Sequence, residues 1–184
     1  MVVSGMKKSE IRKSVIPALS EYVKSPAGRA NAQDLYQQLF ESDDFKQSST
    51  VGVTLNMEDE LDTQPIIDKL NNLNKRVVVP RTLPDFQMEF VVLDERTRLE
   101  RTKFGVREPV GGQVVDPSDI DLLIVPGVAF TPLGERVGFG AGFYDRYLKK
   151  FSGRTITLAL KPQFFDKADW VVDDYDVLVQ QVFH

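Results

Sequence analysis

The sequence predicts an α/β fold, a three-layer αβα sandwich around a mostly parallel, Rossmann-like sheet. Three observations carry that reading. Short apolar, β-branched runs alternate with stretches of helical periodicity along the whole chain, the pattern of helices packed on the faces of a parallel sheet. Residues 50–81 read as one complete β-α-β unit, with a crossover long enough to join parallel strands. Residues 122–148 pass from an apolar strand through a glycine-dense loop into a helix. The 184 residues read as one domain, 1–184, with no internal repeat or linker, and that length suffices for a sizeable core.

Taken in order, residues 6–22 have helical spacing, with Ile11, Val15, Leu19 and Tyr22 on one face. Lys7, Lys8, Arg12 and Lys13 crowd its start, against the helix dipole. That cluster reads either as charge held for a ligand or as a solvated, Lys-rich terminus. Pro17 should kink or divide the helix. Ser25-Pro26-Ala27-Gly28 is a breaker, and Ala32, Leu35, Tyr36, Leu39 and Phe40 mark a second amphipathic helix. Residues 41–49 read as polar loop, and 50–55 as a buried strand.

Asn56-Met57-Glu58-Asp59-Glu60 then sets three carboxylates at the C-terminal end of that strand, the edge where open α/β sheets bind ligands. The alternative is a solvated loop that caps the next helix. Thr63 suits an N-cap, Pro65 a first turn, and Ile66, Ile67, Leu70 and Leu73 a buried face ended by Asn74. Val77-Val78-Val79 is a short strand closed by Pro80-Arg81, and residues 88–93 another. Residues 94–103 read as an exposed charged excursion, and 104–109 as a compact loop. After the strand at 122–125, residues 143–151 form a helix with Tyr144, Tyr147, Leu148 and Phe151 on one stripe. Residues 155–160 are a buried strand, 162–166 a loop or short turn, and Val177-Leu178-Val179 with Val182-Phe183 a last strand.

Composition excludes much chemistry. The chain has no cysteine, and its one histidine is the last residue, His184, so disulfides, thiolate nucleophiles, histidine triads and histidine metal clusters are set aside. The net charge of −4 argues against nucleic acid as a partner. No run approaches the roughly 20 apolar residues of a membrane span, and the N-terminal segment lacks a signal peptide's apolar core. A cytoplasmic location is expected. Chemistry must come from carboxylates, Lys, Arg, Tyr, backbone amides or a carboxylate-bound metal.

The loop between strand and helix has glycines at 134, 138, 140 and 142. Glycine lets backbone N–H groups converge on a phosphate, and a following helix directs its N-terminus there. Arg136 can add a bidentate contact, and Asp145 can hold Mg²⁺. The stretch is neither a Walker A loop nor a dinucleotide-binding fingerprint, because no Gly-Lys-Ser/Thr follows and the glycine spacing is compressed. The alternative is a loop that uses glycine only for tight packing. Tyr144, on its stripe position alone, reads as core.

These residues resemble the 5-formyltetrahydrofolate cyclo-ligase (methenyltetrahydrofolate synthetase) family. The most specific block is Pro126-Gly127, Phe130, then Gly134-Glu135-Arg136-Val137-Gly138-Phe139-Gly140-Ala141-Gly142-Phe143-Tyr144-Asp145-Arg146. Three others fit in order: Lys8 with Ile11-Arg12; residues 55–63 followed by Ile66-Ile67 and Val77 to Arg81; and Gly105-Val106-Arg107-Glu108-Pro109. The match runs from about residue 7 to the C-terminus.

The resemblance implies conversion of 5-formyltetrahydrofolate to 5,10-methenyltetrahydrofolate with ATP as co-substrate and Mg²⁺, releasing ADP and phosphate. It implies that Lys8, Arg12, Arg136, Gly138, Phe139, Gly140, Ala141, Gly142, Phe143 and Tyr144 bind the nucleotide. Leu55, Glu60 and Tyr144 would contact the folate, with Tyr144 and Arg136 catalytic. Asp145 would hold the metal with Asp176, Asp173 being the rival. Both substrates would meet on a monomer or weak homo-oligomer. Val137, Phe143, Ala141, Gln180 and Pro17 depart from the family's usual residues, Ala141 in the middle of the loop and Gln180 near the expected metal carboxylate. Other readings are a nucleotide- or folate-binding member without turnover, and an enzyme of this fold acting on another phosphorylated or CoA-type substrate.

Overall fold

The computed structural model describes residues 5–184; the first four residues, part of the N-terminal segment considered above, lie outside them. In chain order the helices are α1 (Lys8–Lys24), α2 (Pro26–Glu41), α3 (Asp43–Gln47), α4 (Gln64–Asn72) and α5 (Phe143–Leu148). The strands are β1 (Thr50–Gly52), β2 (Arg76–Thr82), β3 (Met88–Val92), β4 (Arg98–Arg101), β5 (Arg107–Val110), β6 (Val114–Val115), β7 (Leu122–Ile124), β8 (Ala129–Phe130), β9 (Arg136–Val137), β10 (Arg154–Leu158) and β11 (Gln181–Phe183).

A seven-stranded sheet in the order β11-β10-β7-β1-β2-β3-β6 carries the fold. The pairings from β11 through β2 are parallel, and β3 runs antiparallel to both β2 and β6. From β1 the chain winds outward through β2, β3 and β6, then returns to β7 on the other side of β1 and winds the opposite way. The direction of winding therefore reverses between β1 and β7. At such a switch point the connections leave in opposite directions and open a crevice beyond the strand ends.

Alternate residues of each strand face opposite layers. Val51, Val77, Val79, Leu122 and Ile124 pack with Leu35, Leu39, Phe45, Ile66 and Leu70 from α2, α3 and α4, and with Leu19 of α1. Val78, Phe90 and Leu123 pack with Tyr147 and Leu148 of α5 on the other face. The layers are unequal, since α5 has six residues. A third cluster joins Ile11 and Val15 of α1 to Val128, Ala129, Val137 and Trp170, which seats the start of α1 against the β8–β9 hairpin.

The β-α-β unit and the mostly parallel sheet agree with the sequence reading, and several local expectations do not. Helix α1 runs through Pro17 without division. Pro17 and Lys13 are both exposed, so the Lys13 carbonyl that loses its donor can turn to water. The basic start is answered by Glu10, which accepts from the Lys7 N–H at 2.7 Å. Residues 43–47 are helix rather than loop: Ser42 caps Phe45 N–H, and the fully buried Phe45 anchors the turn. The excursion at 94–103 and the loop after it form the β4–β5 hairpin. Arg136 lies in a strand, β9, not in a loop. Thr63 stands at the N-cap without capping, because its hydroxyl is turned back to Thr54 O; Asp62 accepts from Gln64 N–H. Val177 to Val179 is not strand; the Val179 N–H donates to Gly134 O.

Substituting Pro17→Ala restores the missing donor at an exposed site. It is expected to stabilise the protein by about 2 kcal/mol, the interior helix cost of proline less the entropy it removes from the unfolded chain. Chemical denaturation of the two proteins checks this.

Candidate active site

Three side chains hold the chain as it leaves β7. The carbonyls of Val125, Pro126 and Gly127 have left the sheet ladder and need new donors. Thr157 Oγ1 donates to Val125 O at 2.6 Å, Arg136 Nη1 to Pro126 O at 3.0 Å, and Gln163 Nε2 to Gly127 O at 2.9 Å. Across the switch point, the segment after β1 is closed on itself. Thr63 Oγ1 donates to Thr54 O at 2.6 Å, Thr63 N–H to Asn56 Oδ1 at 3.0 Å, and Met57 N–H to Glu60 Oε2 at 2.8 Å. Between these two edges lies a cleft lined by Thr54, Asn56, Glu60, Pro126, Gly127, Phe130 and Gln163, among others. Leu55 is buried beside it.

Arg136 is 7% exposed. Besides Pro126 O it meets Asp145 Oδ1 at 3.3 Å, and its Cζ lies 5.8 Å from the Tyr144 ring centroid. Its Nε and the Tyr144 hydroxyl are buried with no hydrogen-bond partner among the described residues, and buried polar atoms of that kind call for a ligand or water. The Tyr144 side chain is half-buried overall, but its hydroxyl is enclosed. Burial pushes the Tyr144 phenol well above its ordinary value; Arg136 opposes this and Glu60 adds to it. The phenol is therefore a hydrogen-bond donor at neutral pH. Burial likewise raises Glu60, against the pull of the Met57 N–H and with a contribution from Asp59.

The loop after β9 is pegged by its carbonyls. Arg12 Nε donates to Gly138 O at 2.6 Å, and Arg146 Nη1 to Ala141 O at 3.1 Å. Gly140 and Gly142 have φ of +116° and +78°. Among the described residues, the amides of Phe139, Gly140 and Ala141 donate to no protein acceptor. Carbonyls engaged and amides free is the arrangement of an anion-binding nest. Phe143 begins α5 and packs at 6.0 Å on Phe86. Helix α5 ends at Leu148 rather than residue 151, so the loop's own amides, more than a long dipole, favour an anion there.

Lys8 reaches across to the C-terminal segment. Its Nζ lies 2.8 Å from Asp173 Oδ2 and 2.7 Å from Asp176 Oδ1. Burial pulls the Lys8 pKa down, and the hydrogen bonds to Asp173 and Asp176 more than offset it, leaving it above the ordinary lysine value. Asp145 accepts from the Val177 N–H at 3.3 Å, which ties the two expected metal carboxylates to neighbouring segments. Each also faces a cation, Arg136 for Asp145 and Lys8 for Asp176. No group of three or more metal-ligating side chains occurs among the described residues. Gln180 clasps Thr155 through both its amide oxygen and its backbone N–H, so that departure serves β10 rather than this cluster.

The structure thus gathers the expected residues into two joined groups. Arg12, Arg136, Gly138 to Asp145 and, beyond the cleft, Glu60 and Leu55 form one; Lys8, Asp173 and Asp176 form the other. Sequence reasoning missed Thr157 and Gln163, whose carbonyl partners are 32 and 36 residues away and leave no local pattern. It also missed the Asn56–Thr63 closure, which a polar residue at each end of the carboxylate stretch could have signalled.

Comparison with known proteins is consistent across the chain. A family model described as the 5-formyltetrahydrofolate cyclo-ligase family matches residues 4–184. A probable 5-formyltetrahydrofolate cyclo-ligase of Caenorhabditis elegans is 29% identical over 192 residues, covering 96% of this chain and 92% of that protein. The 5-formyltetrahydrofolate cyclo-ligase of Escherichia coli K12 is 36% identical over 111 residues, 55% of this chain and 58% of its own. The solution structure of Aquifex aeolicus 5,10-methenyltetrahydrofolate synthetase superimposes with a TM-score of 0.82 at 30% identity, over 96% of this chain and 89% of that one.

The raised Glu60 pKa has a stability consequence. Its folded value lies above its unfolded one, so the favourable contribution is full at low pH and is lost as pH rises through the folded value. Glu60→Gln is expected to raise the thermal midpoint at neutral pH and to lose that advantage below about pH 4, where the wild-type carboxyl is protonated in both states. Thermal scans of both proteins across pH check the sign.

Proposed function

The chain belongs to the 5-formyltetrahydrofolate cyclo-ligase family and makes 5,10-methenyltetrahydrofolate from 5-formyltetrahydrofolate with ATP as co-substrate, and we propose that the residues gathered at the β1–β7 switch point divide that work as follows. The nest of residues 138–142, pegged by Arg12 and Arg146, takes the nucleotide phosphates, with Lys8 released from its carboxylates to join them. The cleft holds the pterin, with Glu60 accepting from its N–H groups and Leu55 against its ring. Tyr144 stands between the two and directs its O–H at the formyl group.

In this reading the formyl oxygen attacks the γ-phosphorus, and ADP leaves. N10 then attacks the activated carbon, a C–N bond forms, the C–O bond to phosphate breaks, and the N10 proton is lost. Neither step needs a protein nucleophile, only alignment and charge neutralisation, which agrees with a chain that lacks cysteine and internal histidine. The observation that carries the assignment is the pair of buried, unpartnered groups, Arg136 Nε and Tyr144 Oη, a fixed positive charge and a neutral donor set side by side.

Mg²⁺ fits the carboxylates present. Asp145 and Asp176 offer hard oxygen donors on segments joined by one hydrogen bond, and Mg²⁺ commonly takes one or two carboxylates with water and phosphate oxygens. Bound there, the ion would neutralise phosphate charge.

Purified protein with ATP, Mg²⁺ and 5-formyltetrahydrofolate is expected to yield methenyltetrahydrofolate absorbance in step with ADP. Arg136→Lys, which keeps charge but not the planar fork, is expected to lower kcat by roughly 10²–10³-fold, as for loss of one preorganised donor. Binding of both ligands without product would instead establish a binding protein, and binding of neither would refute the reading.

A further inference from the structure

The tip of the β2–β3 hairpin adopts a conformation that its own residues disfavour. Asp85 and Phe86 have φ of +59° and +57° in succession. For residues with a Cβ this left-handed region is strained, most of all for a bulky aromatic. The turn is closed by Leu83 N–H to Gln87 O at 2.8 Å, yet burial does not explain it, because Phe86 remains 53% exposed. A two-residue hairpin turn requires positive φ at both central positions, here closed by Gln87 N–H to Pro84 O at 3.3 Å, but it favours Asn, Asp or Gly there; what the aromatic at the second position adds is placement of a ring. The Phe86 ring lies 5.1 Å from Arg146 Cζ and 6.0 Å from the Phe143 ring.

Arg146 is the peg on the far end of the glycine loop, through Ala141 O. Its guanidinium lies so close over Gly142 that an added Cβ there would meet Nη1 at 2.6 Å. A planar guanidinium on an aromatic face keeps its edge free to donate. Phe86 thus fixes the plane of Arg146, and Arg146 fixes the Ala141 carbonyl. The other end of the loop is fixed independently, by Arg12 on Gly138 O.

We propose that Phe86 and Arg146 form a clasp by which the β2–β3 hairpin holds the glycine loop in its anion-binding shape, making both of them positioning residues for ATP. The proposal rests on the assignment of that loop to the nucleotide. It predicts a separation of stability from function that a merely structural role would not give. Glycine adopts positive φ without strain, so Phe86→Gly relieves the turn while removing the clasp.

The test measures Phe86→Gly, Phe86→Tyr and Arg146→Ala beside the wild-type enzyme, by steady-state kinetics with each substrate varied, thermal midpoint, and hydrogen exchange of the peptide covering residues 138–148. For Phe86→Gly the thermal midpoint is expected to hold or rise. The ATP KM is expected to rise about 2- to 5-fold, the size of one exposed cation–π contact, with the 5-formyltetrahydrofolate KM unchanged and exchange in residues 138–148 faster. Arg146→Ala should show the same exchange and KM pattern, and Phe86→Tyr should restore wild-type values. An unchanged ATP KM in Phe86→Gly, or a rise confined to the folate KM, would overturn the clasp. Failure of the loop's assignment to the nucleotide would appear differently, as wild-type exchange in residues 138–148 that saturating ATP does not slow; unchanged exchange in Phe86→Gly would then still overturn the clasp on its own.

Discussion

The buried guanidinium of Arg136 is the constraint around which the site is arranged. A charge only 7% exposed is costly unless it is paired and hydrogen-bonded. Its partners are the carbonyl of Pro126, where the chain leaves β7, and the carboxylate of Asp145 in α5. One side chain therefore fixes the exit of a central strand, the hairpin that carries it and the helix that follows. The neighbourhood is fitted to it: a Cβ at Gly138 would lie 3.0 Å from Nη1, so a side chain there would push the paired guanidinium out of place by a few tenths of an ångström. The Nε has no hydrogen-bond partner among the described residues, so it is the part of that charge left for a substrate or water to meet once the enclosed pocket opens to admit one.

The sheet supplies the place and the charges supply the order. Reversal of winding between β1 and β7 opens the crevice, and each side of it is locked by polar side chains acting on backbone rather than on one another. Every cation expected to meet a nucleotide already has a partner of its own, Lys8 with Asp173 and Asp176, Arg12 with Gly138 O, Arg136 with Asp145. Such pairing holds the cations in position at modest solvation cost. A phosphate and its metal ion bring the matching opposite charges, so they can exchange into these pairs without leaving a charge stranded.

Much of this was legible in the sequence because its signals are local. The β-α-β unit declared itself through Val51, Ile66, Ile67, Leu70 and Val77 to Val79, and the glycine loop through spacing that few packing roles require. Pro17 misled because proline's penalty depends on whether the orphaned carbonyl can reach water, which is a property of the face and not of the residue. Residues 43–47 read as loop in the sequence because their polar content outweighs one aromatic, Phe45, whose burial only the fold reveals. The edges of the cleft were illegible for a different reason. Thr157 and Gln163 serve carbonyls more than thirty residues away, and Phe86 meets Arg146 only because the β2–β3 turn converges on helix α5. Contacts of that kind are set by topology and leave no periodicity to read.

The central claim is that Arg136 Nε and Tyr144 Oη are held unpaired for the reacting groups. An experimental structure of the protein with a non-hydrolysable ATP analogue, Mg²⁺ and 5-formyltetrahydrofolate tests it most directly. The account requires a phosphate or formyl oxygen within hydrogen-bond distance of each of these two atoms, with the pterin in the cleft at Glu60. Ligands bound elsewhere, or both atoms still without a ligand partner in the ternary complex, would contradict it.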